Sequence, residues 1–264
     1  MLSSSNARLA AARRLTSRKE RRETGRFLAE GAQAVREALA ADAVLELFAT
    51  AEAMRRHPEL AADAAEISSR DAATLSETVT PQGLVAVCRL AQPTAKELLA
   101  SAPRLLVALV EPNEPGNFGA IIRTADAAGA DAVIHDAGVD PYNGKVVRAT
   151  AGSLFHLPVL QCAAEDLLRH TDAAGLSSLA ATGSGASELN DLIDRGVLAK
   201  PTVWLFGNEA HGLPRSVTEA AAYQVRVPIY GRAESLNLAA AAAICLYSSA
   251  RAQRLPGKPA GRLS

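Results

Sequence analysis

The chain has 264 residues, 48% of them hydrophobic, and its 28 Lys and Arg balance 28 Asp and Glu for no net charge. That length can bury a sizeable core in one large or two modest domains, and no apolar run is long enough to span a bilayer. The three cysteines, Cys88, Cys162 and Cys245, are far apart and show no CxxC or Cys/His metal spacing, and their simplest reading is buried thiols in a reducing compartment.

In chain order, residues 1–26 come first, with eight Lys or Arg against two Glu. A basic end on a neutral chain points to a polyanion. The Ser- and Arg-rich opening also has the look of an organellar transit peptide, but it runs straight into RFLAEGAQAVREAL, which reads as folded. Over 27–41, Phe27, Leu28, Val35 and Leu39 fall at helical spacing. Short strands at 43–48 and 83–88, with helical pieces near 51–56 and 71–77, complete a small α/β unit over 1–92. The segment 93–104, with Pro93 and Pro103, reads as a linker holding one short helix.

The second unit, 105–264, opens with LLVALV (105–110), a fully apolar run typical of a strand buried on both faces. A helix at 118–128, a strand at 132–135, a loop and helix over 138–151 and a strand near 156–160 follow. Then come a helix at 163–173, strands at 178–181, 202–206 and 224–229, and a long helix over 236–253. Such alternation predicts a parallel sheet with helices on both sides, and the chain as a whole is α/β. The tail from Arg251 onward has four basic residues and no acid, which fits either polyanion contact or a solvated arm.

Three segments at predicted strand ends carry candidate chemistry. In PNEPGNFGAIIR (112–123), Asn117 is placed to cap the next helix and Gly119 to let its first turn pack closely, while Arg123 offers a phosphate-binding fork. FGNEAHGL (206–213) puts Glu209 and His211 among glycines that permit backbone amides to face a ligand. VPIYGRAESLN (227–237) leads into the last helix, with Ser235 or Glu234 as cap and Asn237 in the first turn. Each also has a plain explanation: a helix cap, an ion pair for Arg123, a solvated turn for Glu209. Open parallel sheets build ligand sites at strand carboxyl ends, and three such segments in order carry more weight than any alone.

Together the segments resemble the motifs of the SpoU (TrmH-like) family of RNA ribose 2′-O-methyltransferases, in that family's order. KVVRATAGSLFHLPV (145–159) is similar to its middle region, and RFLAEG (26–31) with PQGLVAV (81–87) resembles its L30e-like substrate-binding domain. The arrangement looks closest to the 23S rRNA enzymes. The resemblance implies a SPOUT catalytic domain with a deep trefoil knot, S-adenosylmethionine (AdoMet) as cofactor, a homodimer and a cytoplasmic location, with no metal and no membrane.

It further implies that Thr182, Gly183, Gly207, Val227, Ile229 and Leu236 hold the cofactor and that Asn117, Arg123, Glu209, Ser235 and Asn237 form the polar catalytic set. In this reading Arg123 anchors a phosphate and stabilises developing alkoxide, because a guanidinium loses its proton only above about pH 12. The basic residues Arg13, Arg14, Arg18, Lys19, Arg21 and Arg22 would track RNA phosphates. Few aromatics means recognition by shape and backbone rather than base stacking. The alternatives are a tRNA 2′-O-methyltransferase, a non-catalytic RNA-binding or ribosome-assembly protein, and a nucleotide-dependent oxidoreductase. For the last, TGSG (182–185) lacks the full glycine fingerprint.

Overall fold

The computed structural model describes residues 1–78, 80–90 and 93–254; the tail beyond Arg254 lies outside the described residues. The basic start is folded, as α1 (Ala7–Arg14) and α2 (Arg18–Thr24). There follow β1 (Arg26–Glu30), α3 (Ala32–Ala40), β2 (Val44–Ala49), α4 (Ala51–Arg56), β3 (Ala65–Glu66), α5 (Ser69–Thr74) and β4 (Leu84–Arg89). The helix predicted over 27–41 is therefore a strand and a helix. Gly31, at φ +95°, joins them, and that left-handed turn costs glycine little.

Next come α6 (Ala95–Ala100), β5 (Leu105–Leu109), α7 (Pro115–Ala128), β6 (Ala132–His135), α8 (Gly144–Ala149) and a 3₁₀ turn at Ser153–Phe155. Then β7 (Val159–Gln161), α9 (Ala164–Ala173), β8 (Ser177–Ala181), β9 (Ser187–Glu188) and α10 (Leu189–Asp194) lead to a second 3₁₀ turn, Val197–Ala199. The chain continues through β10 (Thr202–Phe206), α11 (Arg215–Ala220), β11 (Tyr223–Arg226) and α12 (Leu238–Arg254). The predicted α/β alternation is realised; α1, α2, β3, β9, α10 and α11 were not anticipated.

The chain forms two compact units that interleave in sequence. The first is Met1–Gln92 together with Glu114–Arg123 and Val139–Pro158; the second is Pro93–Asn113, Thr124–Gly138 and Val159–Ser264.

In the first unit the strands run in the order β1-β4-β2-β3, with β4 antiparallel to both neighbours. On one face Leu28, Phe48, Val85 and Val87 pack under Leu9, Ala12 and Leu15 of α1 and its end, and under Ala72 and Leu75 of α5 and its end. From the other side of β1, Phe27 meets Tyr142 and Phe155 at ring-centroid distances of 5.0 and 5.8 Å. Such offset pairs add to the area buried.

The second unit is one seven-stranded sheet, β7-β6-β5-β10-β8-β11-β9, parallel at every pairing. Its central strands are apolar on both faces, as sheets covered on both sides must be. Leu106, Ala108, Ile134, Val203 and Leu205 pack against Leu98, Leu167, Leu168 and Val217 from α6, α9 and α11. From the opposite face Trp204 donates its indole N–H to Ser249 Oγ of α12 at 2.8 Å, both fully buried. Cys88 and Cys245 are buried and free, and burial pushes each thiol up to about 12; Cys162 is half-buried and also raised. Among the described residues no helix is long and apolar enough to cross a membrane.

Candidate active site

Parallel pairing puts the carboxyl ends of β5, β10, β8 and β11 along one rim, in that order. The loops that follow them hold the start of the first motif, all of the second, the Thr182–Gly183 turn and all of the third. This is where an open α/β sheet places a ligand.

Hydrogen bonds tie the first two loops together. The Glu111 N–H donates to Asp136 Oδ1 at 2.7 Å, and the Glu111 carbonyl accepts from Asn208 Nδ2 at 2.9 Å. The Asn113 N–H donates to Glu209 Oε2 at 3.2 Å. Glu209 is thus exposed but engaged, and it braces the loop leading into α7. The sequence offered no sign of Asn113, Asn208 or Asp136 in these roles, since their partners lie far along the chain. Asn208 and Gly212 close the second loop by bonding each other's N–H and carbonyl at 2.8 and 3.0 Å. A Cβ on Gly207 would lie 2.2 Å from the Gly212 carbonyl carbon, so this crossing admits glycine alone.

The helix of the first motif starts earlier than expected, with Pro115 in the first position, where its missing N–H costs nothing. Glu114, just before it, accepts the Gly116 N–H on its carboxylate at 3.3 Å. Asn117 is therefore not the cap but the third helical residue, and is half-buried. Arg123 is the ninth, about 9 Å further along the axis and about 120° around it, so the two do not share a face. Arg123 is exposed and makes no ion pair among the described residues. Gly119 seats α7 on α8: a Cβ there would come within 2.4 Å of Ala149 Cβ and 2.7 Å of the Val146 carbonyl.

The Thr182 turn sits against β11. The Thr182 N–H donates to the Val225 carbonyl at 2.9 Å, and a Cβ on Gly185 would be 2.6 Å from Val225. Beyond half-buried Val227, every residue from Ile229 to Asn237 is exposed and none is in a helix or strand. That includes apolar Ile229 and Leu236, 39% and 37% exposed, and nothing lies within 4 Å of where Gly183 would carry a Cβ. The predicted cap is also corrected: Asn237 precedes α12, and its Oδ1 accepts the Ala239 and Ala240 N–H groups at 2.9 and 3.3 Å. Ser235 and Glu234 stay outside the cap. Thr182, Gly183, Gly207, Val227, Ile229 and Leu236 thus belong to loops after three adjacent strands. Apolar side chains and the open space beside Gly183 suit an adenosyl group.

The six basic residues predicted to track phosphates do not behave alike. Arg21 is 4% exposed, and its guanidinium bonds Asp140 Oδ2 at 2.6 and 2.8 Å and the carbonyls of Leu15 and Thr16 at 2.8 and 2.9 Å. With its donors spent inside the first unit, Arg21 is removed from the set. Arg13 is held by Asp71 at 2.5 Å, Arg14 by Glu20 at 3.1 Å and Lys19 loosely by Glu23 at 3.8 Å. Arg14, Arg18, Lys19 and Arg22 remain at the surface.

Comparison with known proteins agrees with this arrangement. Residues 104–247 match the SpoU rRNA Methylase family, and residues 6–86 match the MRM3-like substrate binding domain. The chain is 34% identical over 238 residues to the 23S rRNA (guanosine(2553)-2′-O)-methyltransferase RlmP of Bacillus subtilis, covering 89% of this chain and 92% of that protein. It superposes on an AdoMet-bound rRNA methyltransferase from Sinorhizobium meliloti with a TM-score of 0.79, at 33% identity over 95% of this chain and 97% of that one. A solved RNA 2′-O ribose methyltransferase gives 0.80 at 34% identity, covering 96% and 98%. With strand-end loops that carry the three motifs in order and a family match over more than half its length, the chain belongs to the SpoU rRNA methylase family.

Proposed function

We propose that this protein transfers a methyl group from AdoMet to a ribose 2′-hydroxyl of 23S rRNA. The observation that carries the proposal is Arg123: an exposed guanidinium on the first-motif helix with no ion-pair partner among the described residues. An arginine held for structure would be paired, as Arg21 is. AdoMet, when bound, supplies a methyl made electrophilic by the cationic sulfonium. The loops after β8, β10 and β11 hold its adenosyl part through Thr182, Gly183, Gly207, Val227, Ile229 and Leu236.

Arg123 grips the target phosphate with a fork of N–H donors and stabilises negative charge as it grows on the 2′-oxygen. It is not the base; the hydroxyl proton passes to a phosphate oxygen or to water. Glu209 positions the first-motif loop through Asn113, and Asn237 fixes where the third loop enters α12. Asn117 and Ser235 complete the polar set that orients the ribose.

Three finer readings belong to the same proposal. The trefoil knot is supported by the path of the chain, which returns from β11, near the sheet edge, to pack α12 on central β10. A homodimer is supported by the face of α12 that leaves Ile244 and Tyr247 40% and 55% exposed at helical spacing. A cytoplasmic location is supported by the rRNA named as substrate of the bacterial relative.

The test is transfer from labelled AdoMet to purified 23S rRNA and to tRNA, followed by nucleoside analysis. A 2′-O-methyl nucleoside at one 23S position, lost with Arg123→Ala, is the expected result. Methylation of tRNA alone would replace the substrate. Neither transfer nor AdoMet binding would overturn the proposal in favour of a non-catalytic RNA-binding protein.

A further inference from the structure

In the antiparallel pairing of β1 with β4, Arg26 stands directly opposite Arg89. The adjacent pair, Gly25 and Leu90, is joined by the Leu90 N–H to the Gly25 carbonyl at 2.9 Å. Arg26 and Arg89 therefore form the non-hydrogen-bonded type of pair, in which facing side chains come closest. Like charges in that position destabilise a sheet.

No ion pair among the described residues relieves them. Arg26 makes no side-chain hydrogen bond or ion pair among the described residues. Arg89 donates only to the backbone carbonyl of Asp42, at 3.2 Å. The carboxylate that neighbouring β2 places nearby, Glu46, is held by Arg8 at 3.0 Å, while Glu20 and Glu23 face Arg14 and Lys19. Both arginines are exposed. They extend the face of the sheet whose buried part is Leu28, Val85 and Val87. α2, which runs into β1 through Gly25, adds Arg18 and Arg22 at i, i+4 spacing.

We propose that Arg26 and Arg89 form a phosphate-binding subsite for the RNA backbone on the substrate-binding domain. The inference rests on RNA being the substrate, as proposed above. Two guanidiniums on adjacent strands offer paired forks to phosphate oxygens, and an RNA phosphate cancels the repulsion that the sheet otherwise carries. The pair is distinct from the helical residues expected from the sequence. It sits on strands, where its spacing is fixed by the sheet register rather than by a flexible arm.

The experiment is a salt titration of binding to in vitro-transcribed 23S rRNA, for the full chain and for Arg26→Gln, Arg89→Gln and the double variant. Each contact removed should reduce the slope of log affinity against log salt by about 0.7–0.9. The double variant should bind roughly tenfold or more weakly at moderate salt. Its AdoMet affinity should not change, and its melting temperature should hold or rise because a like-charge pair is gone. Arg26→Lys with Arg89→Lys should keep the salt slope while losing some affinity.

A double Gln variant that binds rRNA with the affinity and slope of the unaltered chain overturns the subsite. So does one that loses affinity only together with its melting temperature. If the unaltered chain shows no salt-dependent binding to rRNA, the proposed function itself fails and the subsite with it.

Discussion

The two basic opening helices and the exposed loop before the last helix are both polar stretches, yet the fold treats them in opposite ways. In α1 and α2 the charges are largely spent: Arg21 on Asp140, Arg13 on Asp71, Arg14 on Glu20. In the loop from Ile229 to Asn237 nine consecutive residues are exposed, and apolar Ile229 and Leu236 are among them. Charge density in a sequence therefore does not locate a binding surface; what matters is whether the charge finds a partner inside the fold. The first region should fail by unfolding, the second by losing chemistry while staying folded.

The sharpest break of the first region is Arg21→Met. It leaves the half-buried Asp140 carboxylate with only the Tyr142 N–H at 3.0 Å and should cost up to about 3–5 kcal/mol in denaturant unfolding. The Arg21→Met, Asp140→Leu double variant should recover most of that loss, and a failure to recover would mean that Arg21 matters for packing rather than charge. Arg123→Ala should do the opposite: turnover about 100–1000-fold lower, with the melting temperature unchanged. A variant that melts early would place Arg123 among the structural arginines.

Asn237→Ala tests a residue that spans both categories. Losing the cap of α12 should cost about 1 kcal/mol, and Asn237→Asp should restore that stability. Ser235→Ala, outside the cap, should leave stability alone and lower methyl transfer.

The mildest probe is pH. A hydrogen bond from Ser68, helped by Ser4 and Arg13 and opposed by burial, holds the Asp71 carboxyl below the usual carboxylate range. A lowered folded pKa stabilises the fold above the unfolded value of about 3.9 and ceases to do so as pH falls through the folded one. The melting-temperature gap between the unaltered chain and Asp71→Asn should stay level at neutral pH and close below about pH 4. A gap that persists there would assign the effect to shape rather than charge.

Most of the second unit was legible because its central strands are apolar runs, and 132–135 and 202–206 fall where the pattern put them. The first unit was harder. β1 is buried at Phe27, Leu28 and Ala29 in succession, so it shows no alternation, and its apolar residues merge with those of α3 into a false helical period. The site's residues were legible as motif positions, but their local roles were not. Asn117 and Asn237 are both good caps by type, and only the point where the backbone turns helical decides which one caps. Arg21 could not be told from its basic neighbours, since the partner that buries it is 119 residues away.

The interleaving of the units bears on how such a protein can be taken apart. The two family matches meet between residues 86 and 104, which invites a single cut there. Yet a fragment ending at Gln92 would strip Phe27 of Tyr142 and Phe155 and Arg21 of Asp140, which all come from the compact first unit. Transplanting the substrate-binding module onto another methyltransferase therefore requires grafting 139–158 with it. A fusion at one junction would leave Phe27 and Arg21 without the partners that 139–158 supplies.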